Sequence, residues 1–460
     1  MRPSYSRFLA AGTLALLVLT GQGCGGPSKA QQEAVTPAKL VIWNVFDGED
    51  ALRPAMAKYQ ALHPNVSFDY RQLRVDEYKN ELVRAFAEGR GPDLFFVHNT
   101  WIGEELPLMA PMPKTLSIPY VEVTGTIKKE KVYSIKTEPT ISLRQLKNDF
   151  LDVVTGDVVR PYQATPKDTP EQRIWGLPLA VDSLALYYNK DLLNTAGISA
   201  PPATWEDFQA DVPKLTSVGP NDQIVQSGAA MGTSRNVERA FDLLSVIMMQ
   251  NGTQMVDDNG RAAFAGANAD REVPGLQALT FYTDFANPTK ATYAWNRQQP
   301  ASFDAFASGK TAFFFGYSYH APLLRARNPK LKFAIAPLPQ IGGGRPVNYA
   351  NYWVASVAKS SKNQTWGWDF IQFAAKADNV KDYLKATAKP PARRALIAGL
   401  SEDEDLAPFA GQLLTATSWY KGTNVAVAEQ ALLDLIDVAN AGGEIEQEIS
   451  RTQNKVNQSL

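Results

Sequence analysis

A chain of 460 residues with a formal net charge of −1 offers no strong field to nucleic acid or to an anionic membrane face. Its hydrophobic content of 45% excludes a disordered chain, and its length is enough for two domains. The single cysteine excludes an internal disulfide, so stability must come from a packed core.

Arg2 and Arg7 flank an uncharged apolar run over residues 8–20, which is followed by Gly21-Gln22-Gly23-Cys24. A basic flank, a short apolar stretch and a small-residue junction read as a secretory signal over 1–23; a membrane span needs about 20 apolar residues. Cys24, at the junction, reads as the lipidated first residue of a bacterial lipoprotein. An ordinary signal peptide with an incidental cysteine is the alternative. Residues 24–38 are mostly small or polar, with Pro27 and Pro37, and read as a flexible tether.

Leu40-Val41-Ile42-Trp43 predicts a buried strand. Leu52, Ala55, Met56 and Tyr59 then recur at helical spacing, with Pro54 tolerable if the helix starts close to Asp50. His63-Pro64-Asn65 stops that helix, and Val66, Phe68 and Tyr70 alternate as a second strand. Strand, helix and strand at this spacing begin a parallel α/β sheet. Asp76 is the expected cap of the next helix, with Tyr78, Leu82, Ala85 and Phe86 inward and Gly89 ending it. Leu94-Phe95-Phe96-Val97 is another buried strand. Ligands of open α/β sheets lie at the carboxyl ends of strands, which places Asn44 and Asn99-Thr100-Trp101 near a ligand.

Residues 112–150 allow two readings. One is a hairpin around Lys128-Lys129-Glu130, with Val121, Val123 and Ile127 facing Val132 and Ser134. The other, preferred here, is a solvated surface insertion. Further on, residues 184–188 form a strand, Asn189 starts a short helix ending near Gly197, and Thr204 caps a helix at Trp205, where Glu206 and Asp207 suit the helix dipole. An apolar helix over 240–250, strands at 312–315 and 333–339, and several helices near the C-terminus complete an α/β pattern.

Six segments in order carry a resemblance. They are the strand ending at Trp43, His63-Pro64-Asn65-Val66, and residues 85–96 with Gly89, Gly91, Pro92 and Asp93. The fourth runs from Gly176-Leu177-Pro178 through Tyr187-Tyr188-Asn189-Lys190-Asp191-Leu192 to Thr204-Trp205-Glu206-Asp207-Phe208. The fifth is Phe306-Ala307-Ser308-Gly309-Lys310-Thr311-Ala312-Phe313. The sixth joins Pro337-Leu338-Pro339, Tyr352-Trp353-Val354 and Trp368-Asp369-Phe370-Ile371. Together they resemble the extracellular solute-binding proteins of ABC importers, in the carbohydrate-binding group that includes maltose-binding protein. Residues 112–150 do not match, and Ala350-Asn351-Tyr352 replaces the usual Gly-Gly before Trp353.

The resemblance implies a periplasmic-binding-protein-like α/β fold. Two lobes, 39–180 with 335–376 and 183–333 with 378–460, would flank a ligand cleft. The chain would cross near Ala180-Val181-Asp182, near Phe333-Ala334-Ile335 and after the helix around Phe370. A sugar site wants aromatic faces and planar hydrogen-bonding groups. The candidates are Trp43, Asn44, Asn99, Thr100, Trp101, Asp182, Tyr317, Tyr319, Trp353, Trp419 and Tyr420. The competing role is an ordinary loop for Asn99, Thr100 and Trp101, a helix cap or hinge ion pair for Asp182, and packing in the core for the others. Trp205 is assigned to packing, and Trp366 and Trp368 cannot share a helix face.

Enzyme signals are poor. His63, His98 and His320 are the only histidines and lack metal-ligand spacing. Gly342-Gly343-Gly344-Arg345 lacks the Gly-Lys-Ser/Thr of a phosphate loop, and Gly232-Thr233-Ser234-Arg235 reads as a cap that could alternatively hold an anion. The expectation is a monomeric, lipid-anchored extracytoplasmic receptor with no cofactor and no metal. It would bind a sugar or oligosaccharide and deliver it to a transmembrane permease. Alternatives are the same fold binding a polyamine, peptide or glycerol phosphate, a surface adhesin, or a secreted carbohydrate-active enzyme.

Overall fold

The computed structural model describes residues 27–460 except 127, 221 and 222. The signal segment and Cys24 lie outside the described residues. Two five-stranded sheets organise the chain. In the first lobe the order is Val66–Leu73, Ala38–Val45, Leu94–His98, Trp353–Val357 and Leu177–Pro178. The first three strands are parallel, as the strand–helix–strand spacing predicts, and Trp353–Val357 runs antiparallel to Leu94–His98. Helix Glu49–Leu62 buries Ala51, Leu52, Ala55, Met56 and Tyr59, the predicted face, with Pro54 inside it. Helix Val75–Ala87 is capped by Arg74 rather than Asp76. Asp76 instead lies in the first turn, where its carboxylate takes Arg74 Nη2 at 2.7 Å.

In the second lobe the order is Ser217–Val218, Ile224–Ala229, Thr311–Gly316, Ala185–Asn189 and Phe333–Ala336. Helix Ala240–Gln250 is apolar nearly all round and buries residues 240–248. Such a helix must be covered on every side. Helices Pro274–Asp284 and Val425–Asn440 pack on it. Thr204 caps helix Trp205–Leu215 with its side chain, as expected.

A third, small sheet joins the lobes: Ala416–Thr417, Asn348–Asn351 and Asp182–Ser183. The core changes from one lobe to the other between Val181 and Leu184, and again between Tyr349 and Ala350. The second crossing thus comes later than Phe333–Ala336, which pairs with Ala185–Asn189 inside the second lobe. Helix Ala377–Thr387 belongs to the first lobe, contrary to a boundary at 378. Val380 and Tyr383 are buried in that core, and Lys58 Nζ reaches Asp382 at 2.8 Å.

The 112–150 segment contains a hairpin, the first of the two readings, whose strands are largely solvated, followed by helix Leu143–Asp149. Thr115–Thr124 and Glu130–Pro139 pair antiparallel from Thr115↔Pro139 to Thr124↔Glu130. Leu116 and Ile118 are buried at its base, whereas Val123 and Val132 are exposed toward its tip. Helix Lys29–Val35 lies against this hairpin and buries Ala34, so the expected tether is structured over those residues. Among the described residues, no helix is long and apolar enough to cross a membrane.

Candidate binding cleft

A cleft of about 470 Å³ opens between the lobes, within the range of small-molecule sites. Its first-lobe wall starts where strand Ala38–Val45 ends. The Asp47 amide donates to the Val45 carbonyl at 2.7 Å, closing a three-residue turn centred on Phe46 at φ 64. A side chain held at positive φ is strained, and strain of this kind collects at functional sites. The turn pushes Phe46 into the cleft, 58% exposed. Asp47, next in the chain, is held by Lys389 Nζ at 2.6 and 2.7 Å and by the Tyr383 hydroxyl at 2.6 Å.

Behind Phe46 stands an edge-to-face aromatic cluster. Trp353 lies 6.0 Å from Phe46, 5.2 Å from Trp101 and 5.4 Å from His98, ring centre to ring centre. His98 bonds Thr100 Oγ1 at 2.8 Å and Asn351 Oδ1 at 3.1 Å. Burial, with Arg239 adding to it, lowers the His98 pKa to about 4, so the ring is neutral at pH 7.

The second-lobe wall is built differently. Tyr319 lies 6.5 Å from Phe46 across the cleft, with the two rings within 9° of parallel. Arg239, itself at φ 57, makes a two-pronged bond to Asp242, 2.7 Å on each arm. Glu429 approaches the same guanidinium at 3.5 Å. The fully buried Asp242 also accepts the Tyr317 hydroxyl at 2.6 Å.

At the seam, Asp182 ties the hinge to the second lobe. Its Oδ2 accepts the Ser318 amide at 2.9 Å and the Ser318 hydroxyl at 2.6 Å, and Oδ1 accepts the Ser183 amide at 2.9 Å. Burial pushes its pKa up to about 6 against these stabilising bonds.

Of the sequence candidates, Trp101, Asp182, Tyr319 and Trp353 line the cleft. The others do not reach it. Trp43 is core, with Arg71 over its ring at 4.8 Å. Asn44 is buried and bonded to the Tyr70 hydroxyl at 2.9 Å. Asn99 and Thr100 lie behind the wall, on Asp157 and His98. Tyr317 faces Asp242, Trp419 donates to Ser245 and Tyr420 to the Ser459 carbonyl, all within the second lobe. Phe46, Asp47, Arg239, Tyr383, Lys389 and Glu429 also line it without having been picked out. For Phe46 a signal was present: an aromatic residue immediately before the Asp47-Gly48 turn, one residue beyond a strand.

The family model described as bacterial extracellular solute-binding protein matches residues 47–381. The chain belongs to this family. Among curated relatives of this solute-binding protein, a putative binding protein of Brucella abortus (strain 2308) is 26% identical over 206 residues, covering 45% of this chain and 47% of the relative. The maltotriose-binding protein of Pyrococcus abyssi (strain GE5 / Orsay) is 22% identical over 354 residues, covering 75% and 64%. The match thus spans about half the length of the first of these relatives. Among solved structures, a cyclo/maltodextrin-binding protein complexed with maltotetraose superposes with a TM-score of 0.69 at 16% identity, covering 92% of this chain and 97% of that one. The sugar-binding protein MalE from Xanthomonas citri gives 0.68 at 19% identity, covering 92% and 97%. These likenesses establish the two-lobed fold.

Proposed function

We propose that this solute-binding protein takes a sugar or oligosaccharide between its lobes and delivers it to the permease of an ABC importer. The observation that carries the reading is the pairing of cleft-lining aromatic rings, Phe46, Trp353 and Tyr319, with carboxylates already held by partners within the protein. Aromatic faces suit the C–H faces of sugar rings, and fixed carboxylates and bases suit hydroxyls. Asp47 is matched by Lys389, Glu429 by Arg239, and Asp182 by Ser318 and Ser183. Arg239 also serves Asp242, so the carboxylates outnumber the cations, and the aromatic lining rather than charge balance favours a sugar over a polyamine. The phosphate alternative loses its donor, since Arg235 is turned to Asp437 at 3.5 Å. Relatives and structural neighbours whose names specify maltotriose, maltodextrin or galactooligosaccharide binding support the same reading.

In this reading the protein works outside the cytoplasm, held to the membrane by lipid on Cys24, as a monomer and without catalysing a reaction. Ligand closes the lobes only through contacts that the closed state makes better. The test is thermal unfolding against sugars, polyamines and phosphate esters. A saturating sugar at a thousand times its Kd raises stability by about 4 kcal/mol. Phe46→Ala should weaken that sugar's affinity about tenfold or more. A shift with spermidine or glycerol phosphate and none with any sugar would overturn the proposal.

A further inference from the structure

Cleft chemistry changes with depth. Its floor, Asp182, His98 and Tyr352, is buried and polar-edged. Its mouth is aliphatic from both sides: Val75 opens helix Val75–Ala87 of the first lobe, and Pro322 and Leu323 lie on helix His320–Arg327 of the second. Val75 is 45% exposed and Leu323 52%, beside Phe46 at 58%. All line one continuous cavity with the floor. Aliphatic side chains give a hydroxyl-rich ring no partner, and burying hydroxyls against them is unfavourable. They gain free energy only by covering apolar surface.

We infer that the ligand is a glycoside whose sugar sits on the floor and whose apolar aglycone lies in the mouth between Val75, Pro322 and Leu323. This rests on the sugar reading above and specifies the ligand class for the same cleft. The sugar ring reaches the aromatic cluster and the fixed carboxylates; the aglycone covers both aliphatic flanks and so adds a contact between lobes that a free sugar lacks.

The experiment is calorimetric titration of the full chain with matched pairs: glucose, galactose, mannose and maltose, each against its p-nitrophenyl glycoside in both anomers. The expected result is at least one pair in which the aryl glycoside binds about tenfold or more tightly than the free sugar. Leu323→Asn, at an exposed position, should bring that ratio down several-fold, with its thermal unfolding checked alongside. Free sugars that bind while every ratio stays near one, or a ratio that Leu323→Asn leaves unchanged, would overturn the aglycone assignment and leave the sugar reading standing. If neither free sugars nor glycosides bind, the sugar reading falls and the aglycone assignment falls with it.

Discussion

The two walls of the cleft solve one problem with different materials. The first lobe presents rings braced by rings: Phe46 on Trp353, and Trp353 on Trp101 and His98. The second presents a charge network, Arg239 between Asp242 and Glu429, with a single exposed ring, Tyr319. Edge-to-face stacking is short-ranged and tolerant of small displacements, whereas a buried ion pair is unforgiving once one partner goes. The difference teaches that, in the reading proposed above, the first lobe would supply shape and the second would fix orientation.

The most severe way to break this contrast is Asp242→Ala. It strands the Arg239 guanidinium and the Tyr317 hydroxyl, and should destabilise by about 3–5 kcal/mol in urea unfolding. The seam between the walls is tested by pH. Asp182 has a folded pKa of about 6 against an ordinary 3.8, so its protonated form favours the fold. That contribution is fully present below pH 3.8 and is lost as pH rises through 6, on the order of 3 kcal/mol in all. Asp182→Asn should flatten the stability profile between pH 4 and 7 relative to the wild type, roughly over that interval. On the first wall, Trp353→Ala removes a half-buried brace and should lose roughly 2 kcal/mol. Phe46→Gly sharpens the comparison most finely. It relieves a positive φ, and should raise stability by about 1 kcal/mol while lowering ligand affinity. A stability loss there instead would mean that the ring holds the wall rather than the ligand.

Much of this fold was legible because its elements announce themselves locally. Leu52, Ala55, Met56 and Tyr59 repeat at helical spacing and are the buried face; Gly89 and Gly197 end helices at φ 70 and 72. The site was half legible. Looking for the site at strand ends led toward the cleft, but the first strand runs two residues past Trp43, so the residue that reaches the cleft is Phe46. Trp419 and Tyr420 gave no local hint of burial, because their partners, Ser245 and Ser459, are set by tertiary packing. Arg239, Lys389 and Glu429 come from three distant segments, and no periodicity links them. The hairpin was undervalued because its outer strands are solvated, while its anchor, Leu116 with Ile118, is short.

The three short strands at the seam, Asp182–Ser183, Asn348–Asn351 and Ala416–Thr417, are hydrogen-bonded side by side. A single passage would let one lobe swivel about the other. Three bonded together resist twisting and sliding and leave bending across the ribbon as the soft coordinate. In the receptor reading proposed above, the lobes would therefore search for each other along essentially one degree of freedom, with little orientational entropy left to lose when they meet.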